Sequence, residues 1–208
     1  MKKLKKQIPK IKEERKLREK GFKNIAGLDE VGRGGLAGPV VAASVILPKD
    51  KRLYRIRDSK ILKEAEREKL AKKIKKEARS WGLGIVDTKE IEKLGLHKAG
   101  LLALKRALDK SKIMPDFVFV DYYRIPEIKI PQKAVVKGDS RIFCIAAASI
   151  LAKVYRDNLM KRLSKKYPGY GFEKHKGYGT KEHLRALEKL GPCEIHRRNF
   201  KPVKKSQI

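Results

Sequence analysis

The sequence predicts an α/β sheet domain carrying a helical C-terminal appendage, and three observations predict it. Short apolar runs that read as strands come early, with charged periodic segments interleaved among the later ones. The run from Val40 to Leu47 is apolar almost throughout, as a strand covered on both faces is. From Arg141 a long helical pattern extends to about Lys166 and gathers Ala146, Ala147, Ala148 and Ser149, residues small enough to lie close on a sheet.

In chain order, residues 1–22 read as a helix or basic arm, with Leu4, Ile8, Ile11 and Leu17 as a thin apolar stripe. Asn24 to Val31 is the first strand, stopped by the turn Gly32-Arg33-Gly34-Gly35, and Val40 to Leu47 is the second. Asp58-Ser59-Lys60 offers caps for a charged helix from about Lys63 to Arg79. Trp81 to Val86 is a third strand, followed by helices over Lys89 to Leu94 and Leu96 to Lys110. Asp116 to Val120 is a short apolar strand ending at Asp121, and Ala134 to Val136 is another, running into Lys137-Gly138-Asp139. Beyond the long helix, the tail from Pro168 is rich in Gly, Tyr and His and holds one amphipathic helix from Thr180 to Leu190. The expected division is a basic arm (1–22), a sheet domain (23–157) and a helical basic C-terminal region (158–208) that binds the partner.

Lys and Arg number 54 against 24 Asp and Glu, a formal net charge of +30. Residues 1–24 hold 11 basic and 3 acidic side chains and residues 158–208 hold 14 and 4, so the ends carry +8 and +10. Such a surplus repels itself, and the commonest partner that neutralises it is a nucleic-acid backbone. A surface rich in Lys and Glu, with few Asn, Gln, Met and Cys, also fits growth in a hot environment. No membrane span is expected, because the longest apolar-and-small run, Leu36 to Leu47, falls far short of the ~20 residues a bilayer requires. The basic N-terminus lacks the apolar stretch of a secretory signal. Cys144 and Cys193 match no zinc or redox spacing, so a reduced, cytoplasmic setting is expected.

On so basic a chain the informative acids are those in apolar or glycine surroundings. Glu13-Glu14 sits among lysines and reads as solvated. Asp29-Glu30 instead closes a strand and abuts the glycine turn, Asp121 ends the run Phe117-Val118-Phe119-Val120, and Asp139 follows Gly138 at the mouth of the long helix. Singly, each is explained as a cap or turn former. Together, carboxylates at strand ends and a helix start converge on one edge of a sheet, where they repel unless a divalent cation neutralises them. Mg²⁺ takes such hard oxygen ligands, and two ions about 3.5–4 Å apart clamp the attacking and leaving oxygens of a phosphodiester. An acidic, metal-filled centre on a basic surface is the electrostatic plan of a nuclease.

These segments resemble ribonuclease HII. The string GLDEVGRGGLAGPVVAASVIL, the Asp58-Ser59-Lys60 triplet, Asp121 after an apolar strand, VVKGDSR followed by IAAASILAKVYRD, and HKGYGT around Tyr178 occur in that family's order, and the resemblance covers about residues 24–203. It implies a ribonuclease H-like mixed sheet flanked by helices. It further implies an endonuclease that hydrolyses the RNA strand of RNA/DNA hybrids and cuts 5′ of ribonucleotides embedded in duplex DNA, leaving 3′-hydroxyl and 5′-phosphate ends. The family's metal ligands and catalytic carboxylates fall on Asp29, Glu30, Asp121 and Asp139, with two Mg²⁺ or Mn²⁺ ions and Asp29 bridging them. Its ribose-reading segment falls on Gly32, Arg33 and Gly34, and its deoxyribose-packing tyrosine on Tyr178. Lys60, Lys153 and Arg156 lie in matching segments as phosphate contacts. Gly35, Tyr122-Tyr123 and Ile142-Phe143-Cys144 depart from the family pattern and bear on substrate preference.

His97, His175, His183 and His196 show no ligand spacing and read as surface or capping residues. Trp81, Phe117 and Phe119 read as core. Tyr167, Tyr170 and Tyr178, interleaved with Lys165, Lys166, Lys174 and Lys176, suit nucleic-acid contact or packing of the tail. Two rivals remain: a ribonuclease HIII-like enzyme, expected to differ at Arg33 and to carry a further N-terminal domain, and a non-catalytic basic nucleic-acid binder. A monomer is expected, with no membrane contact and no protein partner evident, and Lys201 to Ile208 holds no recognisable sliding-clamp peptide.

Overall fold

Three consecutive strands, β1 (Ile25–Val31), β2 (Val40–Ile46) and β3 (Ser80–Val86), form an antiparallel meander, paired from Ala26↔Ile46 to Val31↔Val41 and from Val40↔Val86 to Ile46↔Ser80. On its other edge β1 takes β4 (Phe117–Asp121) in parallel, and β5 (Gln132–Val135) lies parallel to β4. The sheet is therefore mixed, in the order β3-β2-β1-β4-β5, as expected. This computed structural model describes residues 9–49, 56, 62–126 and 128–206.

Alternation along the strands sends residues to opposite layers. Ala26, Leu28, Ala42, Val118 and Val120 face α3 (Thr88–Leu94) and α4 (Leu96–Asp109), packing on Ile91, Ala103, Leu104 and Ala107. Val41, Ala43 and Val45 face α5 (Phe143–Lys166) and α2 (Glu64–Glu77), meeting Ala146 to Ala148, Ile150, Ala71 and Ile74. All seven residues of β2 are buried, which explains why it is apolar but for Ser44. The alanine run lets α5 approach the strands closely. At Gly27 a Cβ would overlap backbone atoms of Cys144 and Ile145.

The helices start close to the expected positions. Asp87 caps α3, its Oδ1 accepting the Glu90 N–H at 2.8 Å while the Glu90 carboxylate accepts the Asp87 N–H at 3.2 Å. At α2 the Glu66 carboxylate accepts the Lys63 N–H at 3.1 Å; the Asp58-Ser59-Lys60 triplet lies outside the described residues. The long helix begins two residues later than expected, after a 3₁₀ turn at Gly138–Ser140. No described helix is long and apolar enough to cross a membrane.

The described part of the N-terminal arm is docked onto the sheet domain. In α1 (Lys12–Glu19) Glu14 is buried, and its Oε1 accepts the Cys144 N–H at 3.0 Å, capping α5 from a distant part of the chain. Burial raises the Glu14 carboxyl, and this corrects its expected solvated state. The boundary expected at residue 157 falls inside α5. Beyond it come α6 (Phe172–His175), α7 (Lys181–Leu190) and α8 (Lys201–Lys205); α6 and α8 are too short to leave a periodic signal.

The tail decides one open reading and overturns the surface placement of three histidines. Tyr170 is buried, stacked on Phe172 at 5.2 Å, with its hydroxyl donating to the Gly191 carbonyl, so it is a core residue there. His175, His183 and His196 are buried as well. His196 Nδ1 accepts the Cys193 N–H at 3.0 Å, so its Nε2–H donates to His183 Nε2 at 3.0 Å, and His183 Nδ1–H donates to the Tyr178 carbonyl at 3.0 Å. Main-chain partners at both ends thus select two neutral tautomers. Spacing gave no hint of this chain, because its members meet only through tertiary packing.

Candidate active site

The four singled-out acids reach one edge of the sheet through strand register. Leu28↔Val120 is the last pair between β1 and β4, so Asp29 and Asp121 each lie one step beyond it, on the face opposite Leu28 and Val120 and towards α5. Asp139 sits in the 3₁₀ turn that leads into α5, and the Asp121 Oδ1 accepts the Gly138 N–H at 2.7 Å, tying the β4 end to that turn. Tyr122 and Lys137, beside Asp121 and Gly138, hold positive φ values of 65° and 54°. Non-glycine residues adopt that region only under a surrounding constraint, and such residues cluster at functional sites.

Asp29 and Asp139 are only 6% and 4% exposed. Burial raises the Asp29 carboxyl well above the usual carboxylate range; the charges of Glu30, Asp121 and Asp139 push the same way, against a hydrogen bond from Ser149. Glu30 is raised by burial, which the Arg33 guanidinium at 3.2 Å from its Oε1 partly offsets. Its other oxygen, Oε2, is buried with no hydrogen-bond partner. Among the described residues, no three of these acids close into a ready-made coordination shell.

The glycine turn lies beside them. Gly32 has φ of 96°, a conformation that L side chains rarely adopt, and a Cβ there would also meet the Pro39 carbonyl at 2.7 Å. Arg33 reaches over the Tyr123 ring at 5.2 Å while pairing with Glu30. The segment continues into two bridges with the tail, Gly35↔Tyr178 and Ala37↔His196, and the Leu36 N–H donates to the Gly177 carbonyl at 2.8 Å, so the turn and Tyr178 are backbone neighbours. Tyr178 is half-buried over the Arg156 guanidinium at 5.1 Å, and the Lys153 ammonium lies 5.7 Å from its ring.

Over residues 26–203 the chain matches the family model described as Ribonuclease HII. The chain belongs to the ribonuclease HII family. The Ribonuclease HII of Caldanaerobacter subterraneus subsp. tengcongensis is 53% identical over 95% of this chain and 83% of its own length. In structure, the ribonuclease H2 of Pyrococcus horikoshii OT3 aligns with TM-score 0.73 at 26% identity, covering 89% of this chain and 97% of that one. A ribonuclease HII from Archaeoglobus fulgidus, solved as a complex with PCNA, aligns with TM-score 0.74 at 25% identity over 88% and 97%. The chain is thus a metal-dependent endoribonuclease of RNA/DNA hybrids, on a ribonuclease H-like fold.

The donor set of this family member suits a divalent cation. It consists of hard carboxylate oxygens, largely withdrawn from water, with one buried oxygen on Glu30 left unsatisfied. Of the expected phosphate contacts, Lys60 lies outside the described residues. Lys153 is present beside Tyr178, with its Nζ donating to Asp157 at 2.8 Å. Arg156 is a correction: it is fully buried and donates to the carbonyls of Pro39 at 3.0 Å, Lys176 at 2.9 Å and Ala37 at 3.1 Å, so no phosphate reaches it. A mid-helix arginine in a basic chain reads as surface, and only the fold shows it turned inward. Ser149 was seen in the sequence only as a small packing residue, and Arg197 was hidden within the basic tail.

Proposed function

We propose that this ribonuclease HII hydrolyses the phosphodiester on the 5′ side of a ribonucleotide, in hybrids and in duplex DNA carrying single ribonucleotides, leaving 3′-hydroxyl and 5′-phosphate ends. The observation that carries this is the side-by-side placement of Asp29 and Asp121 with Glu30 and Asp139, next to a glycine turn bridged to Tyr178. Asp29, Glu30, Asp121 and Asp139 would hold the divalent ions, two Mg²⁺ or Mn²⁺, through their carboxylate oxygens. When bound, the ions supply a lowered pKa for the attacking water and stabilise the leaving 3′-oxygen.

The remaining roles belong to the chain. Backbone groups of Gly32 to Gly34 come close enough to the sugar to sense a 2′-hydroxyl, the group that separates RNA from DNA. Arg33 tethers Glu30 and fixes where its carboxylate lies. Tyr178 packs on the neighbouring deoxyribose. Lys153 and the basic region 158–208 hold the phosphate backbone, while the docked arm adds charge beyond it. Cleavage of duplex DNA containing one ribonucleotide, with and without Mg²⁺, tests the proposal. A single metal-dependent cut 5′ of the ribonucleotide is expected; equal cutting of all-DNA duplex would sink it.

A further inference from the structure

Arg197 is fully buried, and among the described residues every hydrogen bond of its guanidinium goes to the main chain of the segment 32–38. Nη1 donates to the Arg33 carbonyl at 2.8 Å, Nη2 to Gly32 at 2.6 Å and Gly38 at 2.8 Å, and Nε to Gly38 at 3.1 Å. Its own N–H donates to Leu36 at 2.8 Å. Among the described residues it forms no ion pair with a carboxylate, and burial together with the nearby Arg156 charge pulls its pKa down. A cation kept in so unfavourable a setting calls for a reason beyond filling space.

The bond directions supply one. In a trans peptide the C=O and N–H point opposite ways. With the carbonyls of Gly32 and Arg33 turned inward onto Arg197, the N–H groups of Arg33 and Gly34 turn outward, side by side. At Gly34 an added Cβ would meet nothing within 4 Å, so the chain is not packed over on the side where a side chain would stand. Arg156 braces the far end of the same segment through Ala37 and Pro39, and through Lys176 holds the turn that leads to Tyr178.

We infer that Arg197 is the positioning residue of the ribose-sensing turn, fixing two peptide planes so that consecutive N–H donors face the 2′-oxygen of the substrate. This rests on the proposal that Gly32 to Gly34 read the ribose. Lysine keeps the charge of Arg197 but not its planar fork, which spans three carbonyls at once.

The test uses Arg197→Lys and Arg197→Met in the full chain, with single-turnover cleavage and equilibrium binding (in Ca²⁺) of duplexes carrying one ribonucleotide, one 2′-fluoro nucleotide or none. The expected result is a fall in kcat of about 100-fold for Arg197→Met, as for a misplacement of ~1 Å at a reacting centre. Arg197→Lys is expected to recover part of it. Binding should change less than about threefold, and the preference for ribonucleotide over 2′-fluoro should shrink. Rates within about twofold of wild type, intact discrimination, or loss of cooperative melting in both variants would overturn the positioning role. Failure of the underlying proposal looks different: the wild-type enzyme itself would not distinguish the three duplexes.

Discussion

Replacing Gly27 by Ala places a methyl group in the seam where β1 lies against the first turn of α5. The added Cβ falls under 3.0 Å from the Cys144 carbonyl group and the Ile145 nitrogen, whereas carbon contacts are favourable at about 3.5–4.0 Å. All of these are backbone atoms, so no rotamer change relieves the overlap and the start of α5 must retreat by on the order of 1 Å. Overpacking of this kind costs about 1–3 kcal/mol. In a chain of this size each kcal/mol lowers Tm by about 2–4 °C, giving a drop of roughly 2–12 °C. The same retreat moves Ser149 away from Asp29 and disturbs the turn holding Asp139, so single-turnover cleavage of an RNA/DNA hybrid should slow by up to about 100-fold well below the melting range. Calorimetry and rapid-quench cleavage measure the two effects. An unchanged midpoint with an unchanged rate would refute the claim that the β1–α5 seam sets the site.

Other perturbations probe separate links. Burial and the neighbouring His183 push His196 down to about 4, so its neutral form stabilises the fold fully above pH 6.5 and this contribution, about 3 kcal/mol, is lost as pH falls from 6.5 towards 4; urea unfolding across that window should show a shallower pH slope in His196→Asn. Removing residues 2–8 deletes Lys2, Lys3, Lys5 and Lys6, so the salt dependence of duplex binding should flatten by about 0.9 in log–log slope for each phosphate those lysines neutralise. Truncation through residue 22 also removes the Glu14 cap on α5 and should lower Tm. Arg33→Ala frees Glu30 from its ion pair, and is expected to reduce kcat and ribonucleotide discrimination more than affinity, read from the kcat against KM split.

Much of this was legible in the chain because strong local patterns coincide with the tertiary outcome. The almost wholly apolar β2, the capped α3 and the alanine-rich start of α5 each announce themselves through composition that only one environment explains. The four acids were visible for the same reason, since charge in apolar or glycine surroundings is conspicuous in a basic protein. What stayed hidden depends on groups distant in sequence. Arg156 and Arg197 look like any other cations until the fold turns them onto carbonyls of the glycine segment, Ala37 lying 119 residues from the first and Gly38 lying 159 from the second. Glu14 and three buried histidines were misjudged alike: only packing supplies the partners that make their burial tolerable.

The central claim is that four clustered carboxylates form a centre completed by divalent cations. Its most direct test is thermal melting of the wild-type chain and Asp29→Asn during titration with Mg²⁺ or Mn²⁺, alongside cleavage of a duplex with one ribonucleotide. Without ions, Asp29→Asn should melt higher than wild type, because a buried carboxylate beside Glu30, Asp121 and Asp139 opposes folding. Added ions should raise the wild-type midpoint and switch on cleavage, and should do much less of the first and none of the second in the variant. Equal metal-induced stabilisation of both proteins, or retained cleavage by Asp29→Asn, would contradict the account.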